Sequence, residues 1–86
     1  MKFVAEIDIM PRKELLDPQG KTVANNMKNL NLDGIEEVRI GKHIQLTVEA
    51  ESKAVVTEKV EKACKKLLAN LIMETYSYQI KAVGDA

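Results

Sequence analysis

Val38-Arg39-Ile40-Gly41-Lys42-His43-Ile44-Gln45-Leu46-Thr47-Val48-Glu49 is the stretch on which the fold of this chain turns. Its even positions are apolar apart from Lys42 and its odd positions are polar or glycine, which is the alternation of a half-buried strand. A two-residue turn at Gly41-Lys42 would put Ile40 and Ile44 on opposite faces of a sheet. A three-residue loop, Gly41-Lys42-His43, pairs Ile40 with Ile44 and Val38 with Leu46, so Val38, Ile40, Ile44, Leu46 and Val48 share one face. A single long bent strand keeps the same parity. The hairpin is the expectation taken forward.

The flanking sequence supplies the other elements. Residues 2–10 alternate, with Phe3, Ala5, Ile7 and Ile9 on one side and Val4, Glu6, Asp8 and Met10 on the other, and Pro11 closes this strand. Leu15-Leu16-Asp17-Pro18 reads as a helix entry with Asp17 as N-cap and Pro18 in the first helical position. Val23, Ala24, Met27 and Leu30 recur at helical spacing before Asn31 and Asp33-Gly34 end the helix. Gly20 lowers helix propensity in the first turn, so a packing or contact reason for it is expected. Ser52 caps a second helix over 53–70, whose buried stripe is Val56, Val60, Ala63, Cys64, Leu67 and Leu68. A last strand over 74–82 sets Tyr76, Tyr78, Ile80 and Ala82 on one side, and Val83-Gly84-Asp85-Ala86 is expected to fray. The order strand, helix, strand, strand, helix, strand is that of a ferredoxin-like α+β two-layer sandwich, with two helices on one face of an antiparallel sheet. One domain, 1–86, is expected.

Composition narrows the chemistry. Thirteen Lys and Arg balance thirteen Asp and Glu, which argues against a nucleic-acid binder that relies on phosphate neutralisation. No apolar run approaches the length of a membrane span, and a cytoplasmic protein is expected. One cysteine, Cys64, and one histidine, His43, permit neither an internal disulfide nor a Cys/His zinc site. Cys64 falls on the apolar stripe of the second helix and reads as a small core residue. His43 sits in or beside a turn and reads as exposed. Glu6 and Asp8 read as a solvated or salt-bridged sheet face, without a third oxygen ligand for a metal. Gly41-Lys42-His43 lacks both the upstream glycine and the following Ser or Thr of a phosphate-binding loop. No catalytic, cofactor-binding or metal-binding residue is therefore predicted, and the chain reads as a small interaction module that completes its burial against partners.

Two stretches stand out beyond helix entry and turn chemistry: Leu16-Asp17-Pro18-Gln19-Gly20-Lys21 and Arg39-Ile40-Gly41-Lys42-His43. Together with Cys64-Lys65-Lys66-Leu67-Leu68-Ala69-Asn70, the extended forms Leu15 to Val23 and Val38 to Ala50 resemble, in order, the signatures of the PurS family, the small subunit of phosphoribosylformylglycinamidine synthase. The chain departs from that pattern at Leu71, where the family often has proline, and in a last strand that is less acidic than usual. The resemblance implies a non-catalytic assembly subunit of an ATP-dependent amidotransferase complex in purine biosynthesis. Such a subunit associates with itself as a dimer or tetramer. It brings a PurQ-type glutaminase subunit and a PurL-type synthetase subunit together for ammonia transfer to formylglycinamide ribonucleotide. The complex would use ATP and Mg, with neither held by this chain. Asp17, Gln19, Gly20, Arg39, Gly41 and Lys42 match the family's motifs and are the candidate subunit contacts. The competing reading is a ferredoxin-like dimeric module that senses a small molecule.

Overall fold

The alternation at the amino terminus builds the centre of the molecule. In the computed structural model, which describes residues 1–83, β1 (Lys2–Pro11) is the middle strand of a three-stranded antiparallel sheet. β2 (Lys42–Glu49) lies on one side of it and β3 (Glu74–Val83) on the other. The register sets Ile7 opposite Ile44 and Tyr78, and Ala5 opposite Leu46 and Ile80. One sheet face is thereby apolar apart from Lys42 at its end, and Phe3, Ala5, Ile7 and Ile9 are buried on it. The face is covered by α2 (Lys53–Ala63), which inserts Val56 and Val60 into the core together with Cys64 just beyond its end. Ser52 caps α2 as expected, its Oγ accepting from the Val55 N–H at 3.4 Å.

α2 does not run on as one regular helix to residue 70. Cys64–Leu68 is a π-helical turn, and Ala69 N–H reaches back to the Cys64 carbonyl at 3.0 Å. Widening the helix by one residue slips its face. Leu67, expected in the buried stripe, is therefore 81% exposed, and Ala69 takes a place in the core.

The ferredoxin-like α+β assignment holds, with strand order changed to strand, helix, strand, helix, strand. The expected hairpin at 41–43 is absent. Residues 35–41 take no regular secondary structure and do not pair in the sheet, and they lead into β2, so His43 is a strand residue and not a turn residue. The physical reason lies at Gly41, whose backbone rests against the Ile9 carbonyl and the Met10 sulfur so closely that a Cβ would overlap both. The chain is thus held alongside the end of β1, where a reversal would pull it away. The helix α1 (Pro18–Asn29) also departs from expectation. Among the described residues none of its side chains joins the core cluster, so the sheet's apolar face carries one helix and not two. Together α1 and the 35–41 segment form an arm beyond the sheet end. The Cα radius of gyration is accordingly 16.8 Å, against about 12 Å for a compact domain of this length. Val83, expected to fray, pairs with Lys2, whereas residues 84–86 lie outside the described residues.

Candidate subunit interface

The six motif residues converge where the arm joins the sheet. Asp17 caps α1, with Oδ1 accepting from Gly20 N–H at 3.0 Å, while Oδ2 accepts from Ile40 N–H at 2.8 Å. One carboxylate thus ties the helix start to the extended segment. The Ile40 bond, then the Gly20 bond, hold the Asp17 carboxyl below the usual carboxylate range. Gly20 is buried because α1 meets that segment backbone to backbone, and a Cβ there would overlap the Val38 carbonyl. This is the packing reason its position in a helix called for. Arg39 donates through Nη2 to the Pro11 carbonyl, and Lys42 Nζ stands 3.8 Å from the Glu74 carboxylate. Asp17, Gly20, Arg39 and Gly41 are therefore committed within the chain as a latch. Gln19 and Lys42 remain outward-facing.

Beside the latch opens a groove of about 480 Å³, lined in part by Leu15, Leu16, Pro18, Ile40 and Met73. Leu16 is 74% exposed, and Ile72, in the neighbouring turn, is 85% exposed. That turn is firmly built. Arg12 donates through Nε and Nη2 to the Leu71 carbonyl, Asn70 Oδ1 accepts from Ile72 N–H, and Glu74 Oε1 accepts from Asn70 N–H. Exposed apolar side chains on a hydrogen-bonded turn form a surface fit for docking. Sequence reasoning included Leu16 in the first of its two standout stretches but missed Ile72 and Met73. The available signal was an unbroken Leu71-Ile72-Met73 run outside both helix and strand.

The opposite, polar sheet face holds Glu6, Asp8 and His43, as the alternation requires. His43 Nδ1–H donates to Asp8 Oδ1 at 2.6 Å, and Nε2 lies 3.8 Å from Glu6 Oε1. The Asp8 hydrogen bond is the main cause of an imidazole pKa raised above its ordinary value. This clamp strengthens on protonation, so it is fully present below the unfolded histidine pKa and is lost as pH rises through the folded one. An NMR titration should give His43 a midpoint above about 6.5, and Asp8→Asn should lower that midpoint. A midpoint unmoved by Asp8→Asn would remove the clamp.

Cys64 is buried as expected, and burial pushes its thiol pKa up. The Tyr76 and Tyr78 hydroxyls each donate to Glu61 at 2.6 Å, which pushes Tyr76 up to about 12 and fixes β3 to α2. Among the described residues no three His, Cys, Asp or Glu side chains gather as metal ligands.

Comparison with known proteins points to the same family as the resemblance. The family described as PurS, phosphoribosylformylglycinamidine (FGAM) synthase, matches residues 4–82. The chain is similar to the phosphoribosylformylglycinamidine synthase subunit PurS of Synechocystis sp., at 40% identity over 98% of this chain and 84% of that protein. It is similar to the Bacillus subtilis PurS subunit at 32% identity over 94% and 95%. Among solved structures, a chain in the PurLQS structure from Thermotoga maritima superposes with a TM-score of 0.87 at 34% identity, covering 94% of this chain and 99% of that one. Methanocaldococcus jannaschii PurS, described as a subunit of formylglycinamide ribonucleotide amidotransferase, gives 0.84 at 30% identity, covering 95% and 99%.

Proposed function

The chain belongs to the PurS family, and from that premise we propose that it is the assembly subunit of phosphoribosylformylglycinamidine synthase in purine biosynthesis. In this role it associates with itself and joins a PurL-type synthetase to a PurQ-type glutaminase. The observation that carries the reading is the coincidence, at one end of the sheet, of the family's motif residues with an exposed apolar groove. Asp17 fixes the start of α1 to Ile40, and the Asn70–Glu74 turn is held by its own hydrogen bonds, so Leu16 on one and Ile72 and Met73 on the other are presented on built segments. The Thermotoga maritima PurLQS structure, whose matching chain has the same fold, supports the choice of partners.

The chemistry belongs to those partners. In this reading ATP and magnesium are held by those partners. What a scaffold contributes is proximity. Ammonia released near its acceptor and away from bulk water keeps the lone pair that protonation would remove. In this reading the place of action is the cytoplasm, where purine biosynthesis would run; no described helix is long and apolar enough to cross a membrane.

The purified chain alone should show no turnover. Adding it to the synthetase and glutaminase, with ATP, magnesium and formylglycinamide ribonucleotide, should raise glutamine-dependent synthesis at least tenfold. Full glutamine-dependent activity of the two larger subunits without it would overturn the reading.

A further inference from the structure

The loop after β1 and the segment before β2 bring together three cations that no carboxylate answers. Among the described residues, Arg12, Lys13 and Arg39 stand outside ion-pair distance of every Asp and Glu. Arg12 and Arg39 are half-buried, and main-chain carbonyls hold both in place. Arg12 gives its Nε and Nη2 to the Leu71 carbonyl, and Arg39 gives its Nη2 to that of Pro11. Among the described residues the Arg12 Nη1 group, and the Nε and Nη1 groups of Arg39, meet no acceptor. Donors left open on a fixed guanidinium take water or the oxygens of a ligand.

Both side chains line a cleft of about 360 Å³, together with Met10, Lys13, Glu14 and Thr75. That volume lies within the range of small-molecule sites, about 300–1,000 Å³. The lining sets three cations against one carboxylate, Glu14, in a chain whose net charge is zero. The positive surplus of two is therefore a local feature and not the field of the whole molecule. An adjoining cleft shares the same three cations and adds Lys21, but Asp17, Glu36 and Glu37 nearly cancel them there.

We propose that the cleft between Arg12, Arg39 and Thr75 binds the phosphate group of a small phosphate monoester. A phosphate of charge about −2 matches the surplus, whereas a single carboxylate would neutralise half of it. Its oxygens can accept from two guanidiniums and from the Thr75 hydroxyl, and planar guanidinium forks suit phosphate geometry. Because Leu71 and Pro11 already fix the two arginines, binding has little side-chain freedom left to remove. The cleft shares only Pro11 with the groove beside the latch, so a ligand here would leave that groove open. The proposal goes beyond the assembly reading and stands without it.

The test is an NMR titration of the full chain at low ionic strength with inorganic phosphate, ribose 5-phosphate, ribose and acetate. Phosphate and ribose 5-phosphate should move the amides of Arg12, Lys13, Arg39 and Thr75 saturably. Ribose should move none of them, and acetate at matched ionic strength should bind about tenfold more weakly or less. Acetate binding as well as phosphate, shifts that spread over the whole surface, or no saturable shift would each overturn the proposal. Variants supply a second readout. Lys13 is exposed and makes no side-chain hydrogen bond among the described residues, so Lys13→Glu leaves the packing intact. It should weaken ribose 5-phosphate about tenfold or more, while the same charge change at the exposed Lys59 of α2 should weaken it less than about twofold. Equal losses from the two variants would show diffuse attraction and no site.

Discussion

Gly20→Ala is expected to release α1 from the segment that holds it. Alanine would gain up to about 1 kcal/mol in intrinsic helix propensity, so on secondary structure alone the substitution should stabilise. The added Cβ would instead overlap the Val38 carbonyl and press on the Asp17 carboxylate at 2.8 Å. The obstacle is main chain and has no rotamer to adopt, so overpacking of about 1–3 kcal/mol is the larger effect. Hydrogen exchange should show loss of protection for the amides of residues 21–29 by tenfold or more, with β1 little changed. Equal or greater protection would mean that the helix and the segment can separate without cost and that the latch does not hold the arm.

Ile7→Ala is expected to cost far more. Ile7 is fully buried at the middle of the central strand, opposite Ile44 and Tyr78, and the core around it has few large side chains with which to refill a void. Truncations of this kind cost about 2–5 kcal/mol, in a chain whose whole stability should be about 4–13 kcal/mol. Thermal unfolding should fall by on the order of 10–30 °C. Val4→Ala, on the polar face of the same strand, should move it by only a few degrees. Similar shifts for the two would show that the faces of β1 are not divided as the register requires.

These two positions also mark how far the sequence could be read. The alternation in 2–10 and 38–49 correctly set Phe3, Ala5, Ile7, Ile9, Ile44, Leu46 and Val48 on one face of the sheet, because side-chain parity is a local property of the strand. A closed hairpin and a straight strand share that parity. The choice between them depends on backbone contact between Gly41 and β1, which no local pattern encodes. Gly20 was different, since a glycine in a first helical turn asks for a nearby backbone, and Val38 provides it. Leu67 was misplaced for a helical reason: the stripe was projected at constant pitch through Cys64–Leu68, where the pitch widens. The latch residues were singled out in two separate stretches as candidate subunit contacts, but their commitment to one another was hidden until the Asp17 to Ile40 bond brought the two motifs together. Ile72 and Met73 escaped notice because an exposed apolar side chain acquires meaning only from its neighbours in space.

The separation of α1 from the core cluster has an energetic consequence. A helix that shares no buried side chain with the sheet is not bound to the sheet's cooperativity, so the molecule carries two scales of stability within 86 residues. Breaking the Asp17 hydrogen bonds and parting Gly20 from Val38 opens the arm while leaving Phe3, Ile7, Val56 and Val60 packed. The arm can therefore change its angle on meeting another subunit at the cost of a local opening, and the sheet that orients it need not unfold.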